Sequence, residues 1–141
     1  EDALEGLSQD GFRLAVCTNK YEGLSVRLLD ALGLTARFAA ICGQDTFPMK
    51  KPDPETLRRT IERGGGDLAR AVMVGDSETD VALARAASIP VIGVDFGYTQ
   101  IPMSELGPDR LIGHFEALQR AVRELVPPIR DRSRQNAANR G

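Results

Sequence analysis

The ten residues Ala71-Val72-Met73-Val74-Gly75-Asp76-Ser77-Glu78-Thr79-Asp80 constrain the fold more than any other stretch of the chain. Residues 71–74 are an uninterrupted apolar run, the pattern of a strand buried on both faces. The run stops at Gly75-Asp76 and passes at once into a helical pattern. In an open α/β sheet such a junction lies at the carboxyl edge of a strand, where ligands bind. Asp76 and Asp80 are four residues apart, so an early helical turn would aim both carboxylates at one spot. Paired carboxylates there suit a hard cation such as Mg²⁺. The same residues also read more simply, Asp76 as a helix cap and Asp80 as a solvated acid.

Other segments repeat the strand-then-helix alternation. Leu4 and Leu7 mark a short amphipathic helix over residues 1–9, and Phe12–Cys17 reads as a buried strand halting at Thr18-Asn19-Lys20. Leu24, Leu28, Leu29 and Leu32 recur at helical spacing, with Gly33 as a stop. Phe38–Cys42 is a further short strand, ending at Gly43-Gln44-Asp45. Pro52 and Pro54 keep the following connection extended, and Asp53 and Pro54 suit the cap and first turn of a helix that ends at Gly64-Gly65-Gly66. Those glycines precede a strand and lack nucleotide-loop spacing, so they read as a turn. Val91–Val94 and Leu111-Ile112 complete the strands, with the loop Asp95–Thr99 after the former and the helix Phe115–Val126 closing the domain. Such alternation predicts an α/β fold, three layers around a mainly parallel, Rossmann-like sheet with right-handed crossovers.

Composition narrows the function classes. A net charge of −2 in 141 residues gives no electrostatic basis for binding nucleic acid or an anionic membrane. No apolar run approaches the roughly 18 residues of a membrane span, and no signal peptide is visible, so a cytoplasmic location is expected. Cys17 and Cys42 lie in apolar runs without metal-type spacing and read as reduced core residues. The single histidine, His114, precedes a helix without a catalytic partner. The domain is expected to span residues 1–126, with 127–141, which carries four Arg and one Asp, as a disordered tail.

Three polar clusters fall where chemistry belongs in this fold: Thr18-Asn19, Lys51, and Asp76 with Asp80. One sheet edge would gather them around one pocket. A hydroxyl, a backbone donor, an ammonium and a metal are what a phosphoryl group needs as its charge shifts in the transition state. A helix cap for Thr18-Asn19 and a solvent-facing Lys51 are the plainer readings.

With those residues in place, the chain resembles the haloacid dehalogenase superfamily of phosphohydrolases, especially its phosphoglycolate phosphatase-like members, over residues 1 to about 126. Val16-Cys17-Thr18-Asn19-Lys20 is similar to the family's second motif, whose Thr hydroxyl binds a phosphoryl oxygen. Gly43-Gln44-Asp45-Thr46 with Lys50-Lys51-Pro52-Asp53-Pro54 is similar to the third, implying Lys51, the residue before Pro52, as the charge-balancing lysine. Val74–Asp80 is similar to the fourth, implying Asp76 as a Mg²⁺ ligand and Asp80 as a support for the metal or for Lys51. The implied activity is Mg²⁺-dependent hydrolysis of a small phosphate monoester, a phosphorylated metabolite such as phosphoglycolate, through an aspartyl-phosphate.

The family's first motif, Asp-x-Asp, occurs nowhere in these residues. It ends a strand that the family places centrally in its sheet, and a cap domain follows it. The expectation is therefore a partial core, lacking that strand, from the carboxyl-terminal part of a phosphatase and inactive by itself. The competing expectation is a catalytically inactive phosphate-binding or interaction module. A receiver-like signalling domain fits less well, because Thr18-Asn19-Lys20 stands where its phospho-accepting Asp would be. The oligomeric state is left open.

Overall fold

The computed structural model describes residues 2–95 and 101–126. Helix α1 (Asp2–Gln9) leads to strand β1 (Ala15–Cys17), helix α2 (Glu22–Ala31) and strand β2 (Ala40–Cys42). Helix α3 (Pro54–Arg63), strand β3 (Met73–Gly75), helix α4 (Glu78–Ala86) and strand β4 (Val91–Val94) follow. Strand β5 (Arg110–Ile112) and helix α5 (Leu118–Leu125) complete the order. The expected tail and residues 96–100 of the expected loop lie outside the described residues.

Among the described residues all strand pairing is parallel, in two groups: β1 with β2, and β3-β4-β5. β1 is shorter than the apolar run from Phe12 because its ladder begins only where β2 supplies partners, Ala15 opposite Ala40. Alternation along β4 divides the core. Val91 packs with Leu57 of α3 and Val81, Leu83 and Ala84 of α4, whereas Ile92 and Val94 pack with Leu7 of α1 and Leu118 and Val122 of α5. Helices thus cover both faces, and β4 is buried throughout. That is the three-layer arrangement that apolar parallel strands require.

Among the described residues no strand pairs β1 with β3, so each keeps one edge without a strand partner. Val74, in the middle of β3, is 37% exposed, and Ala15 of β1 is exposed as well. Helices α3 and α4 join the two groups by packing on each other, α3 over β1 and β2 and α4 over β3 and β4.

Caps fix the helices that matter for the site. Asp53 accepts from the Glu55 N–H at 2.9 Å with Pro54 opening α3, as the spacing predicts. Gly64 and Gly65 close that helix, and Gly65 adopts φ +75°, a left-handed conformation that glycine enters freely. Helix α2 forms over the predicted stretch, but Leu24, Leu28 and Leu32 are 56%, 48% and 61% exposed, and Ser25 is its buried residue. Periodicity revealed the helix and not which side of it the rest of the molecule covers.

Candidate active site

The three polar clusters come from three loops at strand ends. Thr18 continues the β1 ladder by one bond, its N–H donating to the Cys42 carbonyl at 3.0 Å. The chain then turns, and the Thr18 hydroxyl oxygen accepts from the Lys20 N–H at 3.2 Å. Thr18 is half-buried and Asn19 exposed. A pocket at this turn is lined by Thr18, Asn19, Gly43, Gln44, Lys51 and Cys17, among others. The structure therefore brings Lys51 to the Thr18-Asn19 turn.

Lys51 sits before a cis peptide bond to Pro52. Its ammonium donates to Asp80 Oδ1 at 2.8 Å, and the two side chains are 7% and 11% exposed. An ammonium carries three N–H donors, so this contact leaves donors for an anion in the pocket. Lys50, by contrast, is exposed. The other Asp80 oxygen accepts from the Asp76 N–H at 3.2 Å, which holds the β3–α4 junction closed. Asp80 is thus buried and bonded on both oxygens, not solvated. The cap of α4 is Ser77, whose hydroxyl accepts from the Asp80 N–H at 3.2 Å, and not Asp76.

Gly75 makes this junction possible. A Cβ there would lie 2.7 Å from the Asp80 carboxylate oxygen, well inside van der Waals contact, so only glycine lets that carboxylate close over the end of β3. Gly43 is the counterpart on the other side. A Cβ there would stand 2.7 Å from the Tyr21 carbonyl carbon, so the loop after β2 lies flush on the loop after β1. Neither constraint is visible in the sequence except as a glycine at a strand end.

The donor set for a cation is small. Asp76 is exposed and its carboxylate is available, while both Asp80 oxygens are engaged. No three His, Cys, Asp or Glu side chains converge as a metal centre among the described residues. Asp76 by itself does not make a metal site, and further donors would be needed to hold an ion there.

Cys17 does not supply a nucleophile. Burial pushes its thiol pKa up, outweighing the lowering by Thr60 and by the Lys51 charge, so the group is a neutral thiol near pH 7. Its Sγ lies 4.0 Å from the Thr56 carbonyl. Cys42 is fully buried and both cysteines are free, as their apolar settings predict. His114 is exposed at the start of the turn before α5.

Parallel strands packed between helices, with a pocket at their carboxyl ends where Thr18, Asn19 and Lys51 meet apolar side chains, define an α/β protein of the strand-end-site class. The chain belongs to the haloacid dehalogenase-like hydrolase family, whose model matches residues 1–94. It is 55% identical over 117 residues to a phosphoglycolate phosphatase of Mesorhizobium japonicum, covering 83% of this chain and 52% of that protein. It is 54% identical over 125 residues to a phosphoglycolate phosphatase of Agrobacterium fabrum, covering 89% of this chain and 54% of that one. In structure it is similar to a predicted phosphoglycolate phosphatase from Haemophilus somnus, with TM-score 0.79, 30% identity, and 85% and 54% of the two chains covered. The chain spans about half the length of the curated relatives it matches. Among the described residues no helix is long and apolar enough to cross a membrane.

Proposed function

We propose that these residues form the phosphate-holding part of a phosphoric monoester hydrolase acting on a small phosphorylated metabolite of the phosphoglycolate type. The observation that carries this is the pocket that Lys51 shares with Thr18 and Asn19, with the lysine held by Asp80. The Thr18 hydroxyl and the Asn19 amide donate to phosphoryl oxygens, and the Lys51 ammonium balances the charge that builds on them in the transition state. Asp80 positions Lys51. Asp76 serves as one carboxylate of a Mg²⁺ site whose other donors lie outside the described residues; the ion would neutralise phosphoryl charge when bound.

The attacking group is a carboxylate from outside these 141 residues, since no Asp-x-Asp occurs within them. It attacks phosphorus as the P–O ester bond breaks, and the departing oxygen takes a proton from a general acid likewise outside these residues. Water then cleaves the aspartyl-phosphate to release phosphate and regenerate the carboxylate. The strand bearing it pairs with the free edges of β1 and β3, where Val74 and Ala15 are exposed. The same missing nucleophile also supports a second reading, a phosphate-binding module without turnover.

Hydrolysis of p-nitrophenyl phosphate with Mg²⁺ separates these readings. The 141 residues alone are expected to give no turnover. Addition of an apolar strand segment ending in Asp-x-Asp is expected to restore it, and Lys51→Ala to abolish the restored activity. Turnover by the bare chain would contradict the external nucleophile, and phosphate binding that no added segment converts into turnover would favour the module.

A further inference from the structure

Helix α2 begins without a cap of its own. Tyr21 occupies the N-cap position and makes no side-chain capping bond. The missing acceptor comes from another loop: Asp45 Oδ1 accepts from the Glu22 N–H at 2.7 Å, across 23 residues of sequence. Two further bonds join the same two loops, and a third braces the Gly43–Thr46 loop internally. The Gln44 N–H donates to the Lys20 carbonyl at 2.9 Å. The Thr46 hydroxyl donates to Glu22 Oε1 at 2.9 Å, and its oxygen accepts from the Gly43 N–H at 2.7 Å. Phe47, next in that loop, packs instead against α3, the Arg63 guanidinium lying 5.4 Å from the Phe47 ring centre.

We infer that Asp45 and Thr46 are positioning residues that fix the Thr18-Asn19 turn for an oxyanion, acting through Glu22; this rests on the phosphate-site reading above. The turn from Thr18 to Tyr21 has one end in the β1 ladder and the other at the start of α2. Its shape is therefore set by where the α2 start is pinned, and the Gly43–Thr46 loop pins it. That loop also lines the pocket through Gly43 and Gln44, so it couples the Thr18 side of the pocket to the segment that leads on to Lys51. Neither Asp45 nor Thr46 needs to touch the anion, and an acidic Asp45 would repel one. Its value lies in the geometry it imposes.

The test is titration of the ¹⁵N-labelled 141-residue chain with inorganic phosphate, read at the Thr18 and Asn19 amides. Asp45→Ala and Thr46→Val are each expected to weaken binding about fivefold, the effect of losing one cap-strength contact. Asp45→Asn and Thr46→Ser keep the required oxygens and are expected to stay within about twofold of the unsubstituted chain. Asp67→Ala removes a comparable cap from the turn 68–70, remote from the pocket, and is expected to leave the affinity unchanged. Folded Asp45→Ala and Thr46→Val chains that bind phosphate normally would overturn the inference, as would an equal loss in Asp67→Ala. Absence of any response in the unsubstituted chain would overturn the phosphate-site reading itself.

Discussion

The Lys51 ammonium and the Asp80 carboxylate meet at 2.8 Å with both side chains nearly excluded from solvent. One belongs to the loop after β2, the other to α4 beside β3, so a single ion pair ties together two strand groups that share no ladder. Removing one partner of such a pair strands the other charge in a dry site, at a cost of about 3–5 kcal/mol. Asp80→Ala is therefore expected to lower the chemical-denaturation midpoint strongly. Replacing both residues together, Lys51→Met with Asp80→Leu, is expected to recover most of that stability and to lose phosphate binding completely. Equal stability of single and double variants would show that the pair carries no structural weight.

Gly75→Ala tests the same junction from the backbone side. The added methyl would overlap the Asp80 carboxylate, which cannot retreat without releasing Lys51. Overpacking of this kind costs about 1–3 kcal/mol. The expected result is a destabilised chain whose Lys51 and Asp76 amide resonances shift together. A silent substitution would mean that Asp80 does not close over β3.

The strands and helices were legible where burial is symmetric. Val91–Val94 read as a two-faced strand because each face meets a helix layer, whereas in the apolar run 71–74 Val74 is 37% exposed; the three-layer α/β order was legible from both. Asp53-Pro54 announced α3 because that cap is local in sequence. What stayed hidden is non-local. The cap of α2 comes from Asp45, 23 residues away, and its one local trace is Tyr21 in a capping position that tyrosine cannot serve. Leu24, Leu28 and Leu32 announced a helix but not their exposure, since periodicity carries no information about which neighbour is present. Asp76 looked like a cap and Ser77 does that work, because adjacent polar residues at a strand end compete for it within one residue of register.

Acid should loosen the β4–β5 end. The Asp109 carboxylate accepts from the Val91 N–H at 2.7 Å and pairs with Arg85 at 3.3 Å. The Val91 hydrogen bond, with the Arg85 charge behind it, holds its pKa below the usual 3.8 against the opposing effect of burial. A depressed folded value means stability that is present above the unfolded pKa and lost as pH falls through the folded one. Stability measured from pH 6 downward should thus decline below about pH 4, and Asp109→Ala should flatten part of that decline. An unchanged acid limb in the variant would remove Asp109 from the explanation.

Thiol chemistry gives an independent check on the pocket lining. With the Cys17 pKa raised and Cys42 fully buried, both should alkylate with iodoacetamide far more slowly at pH 7.5 than an unhindered cysteine. Unfolding in guanidinium chloride should remove the difference. Rapid labelling of Cys17 in the folded chain would place it outside the packed interior.

The most direct measurement is anomalous diffraction from crystals of the chain soaked in tungstate, a tetrahedral stand-in for phosphate. The expected result is a tungsten peak in the pocket, its oxygens within hydrogen-bonding distance of the Thr18 hydroxyl, the Asn19 amide and the Lys51 ammonium. Crystals that bind tungstate elsewhere while this pocket stays empty would contradict a phosphate site built from Thr18, Asn19 and Lys51.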